Sequence, residues 1–119
     1  MYLFQSERLG FRQWLERDTE LFVRLNEDER VMEFFPDVLT RSETLALLAR
    51  IKTHIDEYGY GLFAVDELSS GLFIGFIGLG HPRYESKFTP CLEIGWRLFP
   101  EFWGKGYATE GAAACLQYA

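Results

Sequence analysis

Residues 103–109 read Trp-Gly-Lys-Gly-Tyr-Ala-Thr. Upstream lies an apolar run ending Trp96-Arg97-Leu98-Phe99-Pro100, and downstream a small-residue stretch, Glu110-Gly111-Ala112-Ala113-Ala114-Cys115-Leu116. The pattern predicts a strand, a glycine turn and a helix that begins near Ala108. Gly104 and Gly106 let the backbone turn tightly and bring a ligand close to the main chain. The first N–H groups of the helix lack intrahelical acceptors and carry the positive dipole end. Such a turn suits a phosphate or pyrophosphate, but it is also compatible with an ordinary strand-to-helix connection.

The remaining chain bounds what this turn serves. Of 119 residues, 48% are hydrophobic and 17% aromatic. One domain of this size buries roughly 65% of its extended surface. No apolar run approaches the roughly 20 residues of a membrane-spanning helix. Glu7 and Arg8 interrupt the first apolar segment, so no signal-peptide pattern forms, and a cytoplasmic protein is expected. The formal net charge is −6, which argues against a broad nucleic-acid-binding face. Between Arg97 and Glu110 the charges of Arg97, Glu101, Lys105 and Glu110 cancel. A phosphate at the turn would therefore rest mainly on backbone N–H groups, with Lys105 as a helper. The acidic surface favours a cationic acceptor such as an amine.

Cys91 and Cys115 show no metal-ligand spacing, and His54 and His81 have no paired ligand pattern. Both cysteines are expected as buried thiols, and no metal is expected. His54 is expected on a helix surface and His81 in a loop.

Along the chain, Leu9-Gly10-Phe11-Arg12-Gln13 predicts a short strand. Asp18 is expected to cap a helix through Leu21, Phe22 and Leu25. A short turn over 29–34 stops at Pro36. Thr40-Arg41-Ser42-Glu43 forms a capping box, and Leu45, Leu48, Ile51 and Ile55 recur at helical spacing, so a helix runs to Tyr58 and ends at Gly59. Strands are expected over 61–66, 72–79 and 92–99, the first two joined by a hairpin turn at 68–71, and a polar loop over 80–90. The element order is β-α-α-β-β-β-α. The chain stops inside a helical pattern, so it is expected to be the front part of a longer protein, with C-terminal elements missing.

The run from Glu93 to Glu110, Glu-Ile-Gly-Trp-Arg-Leu-Phe-Pro-Glu-Phe-Trp-Gly-Lys-Gly-Tyr-Ala-Thr-Glu, resembles the acetyl-CoA-binding motif of the Gcn5-related N-acetyltransferases. Within them it is most similar to the RimJ/RimL, ribosomal-protein N-acetyltransferase-like, type. Ser6-Glu7-Arg8-Leu9 with Arg12 and Asp18 resembles that group's opening strand and helix. Residues 61–65 and 73–79 resemble its next two strands. The superfamily pattern Gln/Arg-x-x-Gly-x-Gly/Ala falls on Trp103 to Ala108, with Trp103 in place of the usual Gln or Arg.

The resemblance implies an α/β (α+β) acyl-CoA N-acyltransferase fold: a mixed, mostly antiparallel sheet flanked by helices. The whole of 1–119 is then one incomplete N-acetyltransferase domain. It implies that acetyl-CoA is the cosubstrate, with its pyrophosphate on Trp103, Gly104, Lys105, Gly106, Tyr107 and Ala108 and on the Thr109 hydroxyl. The pantetheine arm would pair with the backbone near Leu98, whose N–H would polarise the thioester carbonyl. An amine would attack the thioester directly, with Glu93 on the same strand as the candidate base, acting through water. Glu93 is alternatively a structural carboxylate paired with Arg12 or Arg97. Phe34, Phe35 and Trp96 are candidates for the acceptor pocket, along with Tyr58 and Tyr60, while Trp14 and Phe22 are expected in the core. The acceptor is a protein N-terminal amine or a small amine, and a homodimer is compatible with the reading. The alternative is a non-catalytic acyl-CoA-binding or interaction module on the same fold. A P-loop is excluded because no Ser or Thr follows Gly104-Lys105, and Gly75-Phe76-Ile77-Gly78-Leu79-Gly80 reverses the dinucleotide glycine order.

Overall fold

The computed structural model describes residues 2–33, 37–80 and 93–118, with Glu93 and Ile94 described by their backbone alone. Five strands form one sheet in the order β1-β2-β3-β4-β5: Phe4–Gln5, Leu9–Arg12, Leu62–Glu67, Leu72–Gly80 and Glu93–Leu98. All four strand pairings among the described residues are antiparallel. Helices α1 (Asp18–Glu27) and α2 (Arg41–Tyr58) lie between β2 and β3, and α3 (Tyr107–Tyr118) closes the order. A short 3-10 turn, Pro100–Phe102, leads from β5 toward α3.

Successive side chains of a strand point to opposite faces, so Phe76 and Ile77 of β4 divide the core. Phe76 meets Phe22 of α1 and Trp14 on one face. Ile77 lies against Gly111 of α3 on the other. The run from Phe73 to Leu79 is buried on both sides, as its apolar sequence requires. Trp14 and Phe22 are core residues, as expected from the sequence.

Three local readings are corrected. The two-residue strand β1 was not expected; it pairs Phe4 with Phe11 and stacks the two rings 4.4 Å apart. Asp18 does not cap α1. The capping position is Arg17, which makes no side-chain cap bond. Asp18 is the first helical residue, 1% exposed, and accepts from Leu15 N at 2.7 Å and from Arg12 at 2.7 Å and 3.0 Å. Arg12 also grips Asp66 of β3 at 2.8 Å and 2.9 Å, so one buried guanidinium fastens β2, α1 and β3. Finally, Leu45 of α2 is exposed, and Thr44 takes its place on the buried face with Leu48, Ile51 and Ile55. The Thr44 hydroxyl accepts from Asn26 Nδ2 at 3.2 Å, which makes burial of a polar residue tolerable there. The Thr40–Glu43 capping box and the left-handed Gly59 bound α2 as the sequence predicts.

Gly75 sets the path of β5. Its φ is +140°, beside the register shift of the β3–β4 pairing at Val65/Asp66. A Cβ at Gly75 would overlap the Arg97 carbonyl oxygen, so β5 approaches β4 at a distance that only glycine permits.

Candidate functional site

The site is built where β5 ends and α3 begins. Phe99 N donates to Ile74 O of β4 at 3.0 Å. The Leu98 carbonyl belongs to the same peptide plane and therefore points away from the sheet, where it accepts from Trp103 Nε1 at 2.9 Å. In an extended strand the N–H and C=O of one residue share a side, so the Leu98 N–H also faces outward. Among the described residues no strand lies beyond β5. The Leu98 amide is thus presented along an open edge, while its side chain is 4% exposed.

The turn follows at once. Gly104 and Gly106 have φ of +76° and +79°, the left-handed region that favours glycine. Nothing lies within 4 Å of the position a Cβ on Gly104 would take, so the backbone here is bare toward solvent. Helix α3 starts at Tyr107, one residue before the expected start. Glu110 N donates to Gly106 O at 3.0 Å and closes the first helical bond. The amides of Tyr107, Ala108 and Thr109 precede that bond and have no acceptor within the helix.

These groups surround one cleft of about 310 Å³, lined by Trp96, Leu98, Phe102, Trp103, Gly104, Gly106, Tyr107, Ala108 and Thr109. Every residue expected at the cofactor site lines it except Lys105, which is exposed beside it and interacts electrostatically with Glu67. Trp103 takes a role that the sequence did not reveal: its indole N–H locks the strand end to the turn. Tyr107 is 6% exposed, and its hydroxyl donates to Glu67 at 2.6 Å, anchoring the head of α3 to the end of β3. The arrangement offers helix-head amides with no intrahelical acceptor at one end and, among the described residues, a strand edge with no neighbouring strand at the other, which suits an anion at the turn.

A second cleft of about 230 Å³ lies on the α1 side and is lined by Arg30, Val31, Glu33, Trp96, Arg97, Leu98 and Trp103. Trp96, Leu98 and Trp103 line both clefts, so the two meet along the edge of β5. Trp96 is 55% exposed, available to a ligand in either. Phe34 and Phe35 lie outside the described residues, as do His81 and Cys91.

Glu93 opens β5 opposite Gly80. Five residues separate it from Leu98, about 16 Å along a strand. The Arg12 guanidinium is held by Asp18 and Asp66, and the Glu93 side chain lies outside the described residues. Arg97 donates to Asn26 Oδ1 at 2.6 Å and lies over the Phe76 ring at 5.2 Å, and burial lowers its pKa. Through Asn26, which also bonds Thr44, Arg97 ties the open strand to α1 and α2. The sequence held no signal for this relay, because its members lie 71 and 18 residues apart.

Comparison with known proteins agrees with the geometry. The family model for the Acetyltransferase (GNAT) domain matches residues 8–119. Uncharacterized protein YkkB of Bacillus subtilis is 29% identical over 114 residues, covering 95% of this chain and 65% of that protein. The crystal structure of a GNAT-family acetyltransferase from Bacillus anthracis superposes with a TM-score of 0.72 at 29% identity, covering 96% of this chain and 63% of that one. An acetyltransferase from Agrobacterium tumefaciens gives 0.79 at 26%, covering 98% and 65%. The chain thus spans just under two thirds of the length of each of these relatives. With the family model matched over most of its length and the strand edge, glycine turn and helix in place, the chain belongs to the GNAT acetyltransferase family.

Proposed function

We propose that this chain carries the acetyl-CoA-binding face of an N-acetyltransferase of the RimJ/RimL kind. It would move an acetyl group directly from acetyl-CoA to a primary amine, either a protein N-terminal α-amine or a small amine. One observation carries the reading: the outward Leu98 amide and the bare amides at the head of α3 line a single cleft. When bound, acetyl-CoA supplies the activated thioester. The amides from Gly104 to Thr109 hold the pyrophosphate, assisted by the Thr109 hydroxyl and by Lys105. The edge of β5 pairs with the pantetheine amides, and the Leu98 N–H stabilises the negative charge that develops on the thioester oxygen.

The acceptor amine enters through the cleft on the α1 side, past Trp96; Phe34 and Phe35 remain sequence-based candidates for contacts to it. It must be neutral to attack, so its proton leaves along a chain of waters that ends at Glu93, about 16 Å along the strand from Leu98. The new C–N bond forms as the C–S bond breaks, and the thiolate leaves to take up a proton. The reading places the protein in the cytoplasm, with residues 1–119 as part of a single N-acetyltransferase domain.

The test is release of CoA thiol from acetyl-CoA, measured with spermine and with a peptide bearing a free N-terminal serine. Amine-dependent release, reduced roughly a hundredfold or more by Glu93→Gln, supports the reading. Binding of acetyl-CoA with no amine-dependent release from either acceptor would instead assign an acyl-CoA-binding module.

A further inference from the structure

Glu110 occupies the first turn of α3, close to the amides proposed to hold the pyrophosphate. A carboxylate at a helix N-terminus interacts well with the dipole, but it competes there with any phosphate and repels it. The structure answers this conflict from the other end of the chain. Ser6 Oγ donates to Glu110 at 2.5 Å, Arg8 N at 2.8 Å and Arg8 Nε at 2.6 Å.

The Arg8 guanidinium lies over the Tyr107 ring, 4.5 Å from its centre. Its Nη2 is 3.5 Å from the position a Cβ on Gly106 would take, which puts the charge beside the turn itself. A second carboxylate tied to α3, the half-exposed Glu67, accepts from Tyr107 Oη at 2.6 Å and Ser70 Oγ at 2.7 Å. Glu7 adjoins Arg8 in the chain, and Lys105 faces Glu67.

We propose that Arg8 is a positioning residue of the anion site: by neutralising Glu110 it keeps the head of α3 positive toward a pyrophosphate. The proposal rests on the reading of the turn as the acetyl-CoA site. It assigns a part in cosubstrate binding to the opening strand of the domain, 102 residues from Glu110. Tyr107 ties α3 to β3 through Glu67 independently of this cluster.

The experiment is an acetyl-CoA titration by calorimetry of the wild type, Arg8→Gln, Arg8→Lys, Glu110→Gln and the Arg8→Gln/Glu110→Gln double variant, with a thermal melt of each. Arg8→Gln is expected to weaken binding about tenfold. Arg8→Lys keeps the charge but loses the stacked guanidinium, and is expected to fall between wild type and Arg8→Gln. Glu110→Gln is expected to bind as tightly as wild type or more so, and the double variant to recover most of the loss. Recovery in the double variant is what a merely mechanical staple between strand and helix would not give. A double variant that binds as weakly as Arg8→Gln overturns the proposal, as does an Arg8→Gln variant that binds like wild type. Neither result touches the acetyl-CoA reading, which fails only if the wild type does not bind or if blocking Gly106 has no effect.

Discussion

The indole N–H of Trp103 donates to the carbonyl oxygen of Leu98 at 2.9 Å, joining the two halves of the site. Leu98 contributes its amide to the strand edge, and Trp103 precedes the glycine turn, so the bond would set the distance between the proposed thioester and pyrophosphate subsites. It also gives this position a purpose other than the side-chain contact of the more usual Gln or Arg. Trp103→Phe keeps the ring and removes the donor. A neutral hydrogen bond of about 1 kcal/mol predicts a loss of acetyl-CoA affinity of about fivefold, with little change in melting temperature. Calorimetry alongside a thermal melt checks both.

The Arg12 clasp predicts where the fold is most fragile. Arg12, Asp18 and Asp66 are 4%, 1% and 3% exposed, so removing one partner strands a buried charge. Asp66→Ala or Asp18→Ala is expected to cost about 3–5 kcal/mol and to lower the melting temperature by more than about 10 °C. The Arg41–Glu20 pair is open to solvent, with side chains 54% and 64% exposed. Glu20→Ala is therefore expected to leave the melt unchanged.

Acid should weaken the junction between the first strands and α3. Burial raises the pKa of Glu110, but the Ser6 hydroxyl and the Arg8 amide and guanidinium together hold it below its ordinary 4.5. A carboxyl whose folded pKa is depressed contributes stability that is present above the unfolded value. That contribution is lost as pH falls through the folded value. Melting temperature should therefore decline below pH 4.5, and Glu110→Gln should flatten that decline while leaving the curve near pH 7 unchanged in shape. An identical acid profile in the two proteins would remove Glu110 from the explanation.

Cys115 is 1% exposed against β4, and burial pushes its thiol pKa up to about 12 from 9.0. In a Cys91→Ser background it is expected to resist a disulfide reagent at pH 8 and to react at once in denaturant. The sign for stability is opposite to that of Glu110. The raised folded pKa contributes stability below pH 9, lost as pH rises toward 12.

Features set by near neighbours in the chain were legible before the structure. The capping box at Thr40–Glu43, the αL end at Gly59 and the two glycines of the turn each depend on a few adjacent residues. The motif around Gly104 and Gly106 was legible for the same reason, and it placed all but one of the expected cofactor residues around one cleft. Features made by distant partners were not legible. Asp18 looked like a helix cap because the residue that claims it, Arg12, is itself explained only by Asp66, 54 positions further on. Thr44 replaced Leu45 on the buried face because Asn26 supplies a hydrogen bond across the α1–α2 contact. Phe4–Gln5 is too short to show a period, and it is a strand only because Phe11 and Gly10 lie opposite.

The central claim is that acetyl-CoA binds on the glycine turn, and Gly106→Trp tests it most directly. Gly106 has φ of +79°, and its open side meets only Arg8 Nη2, at 3.5 Å, so a large side chain there would occupy the anion's place rather than the core. Titrated with acetyl-CoA, the wild type is expected to bind in the micromolar range and the variant at least about a hundredfold more weakly, with cooperative melting retained in both. Equal affinity in the two proteins, or no binding by either, would contradict the account.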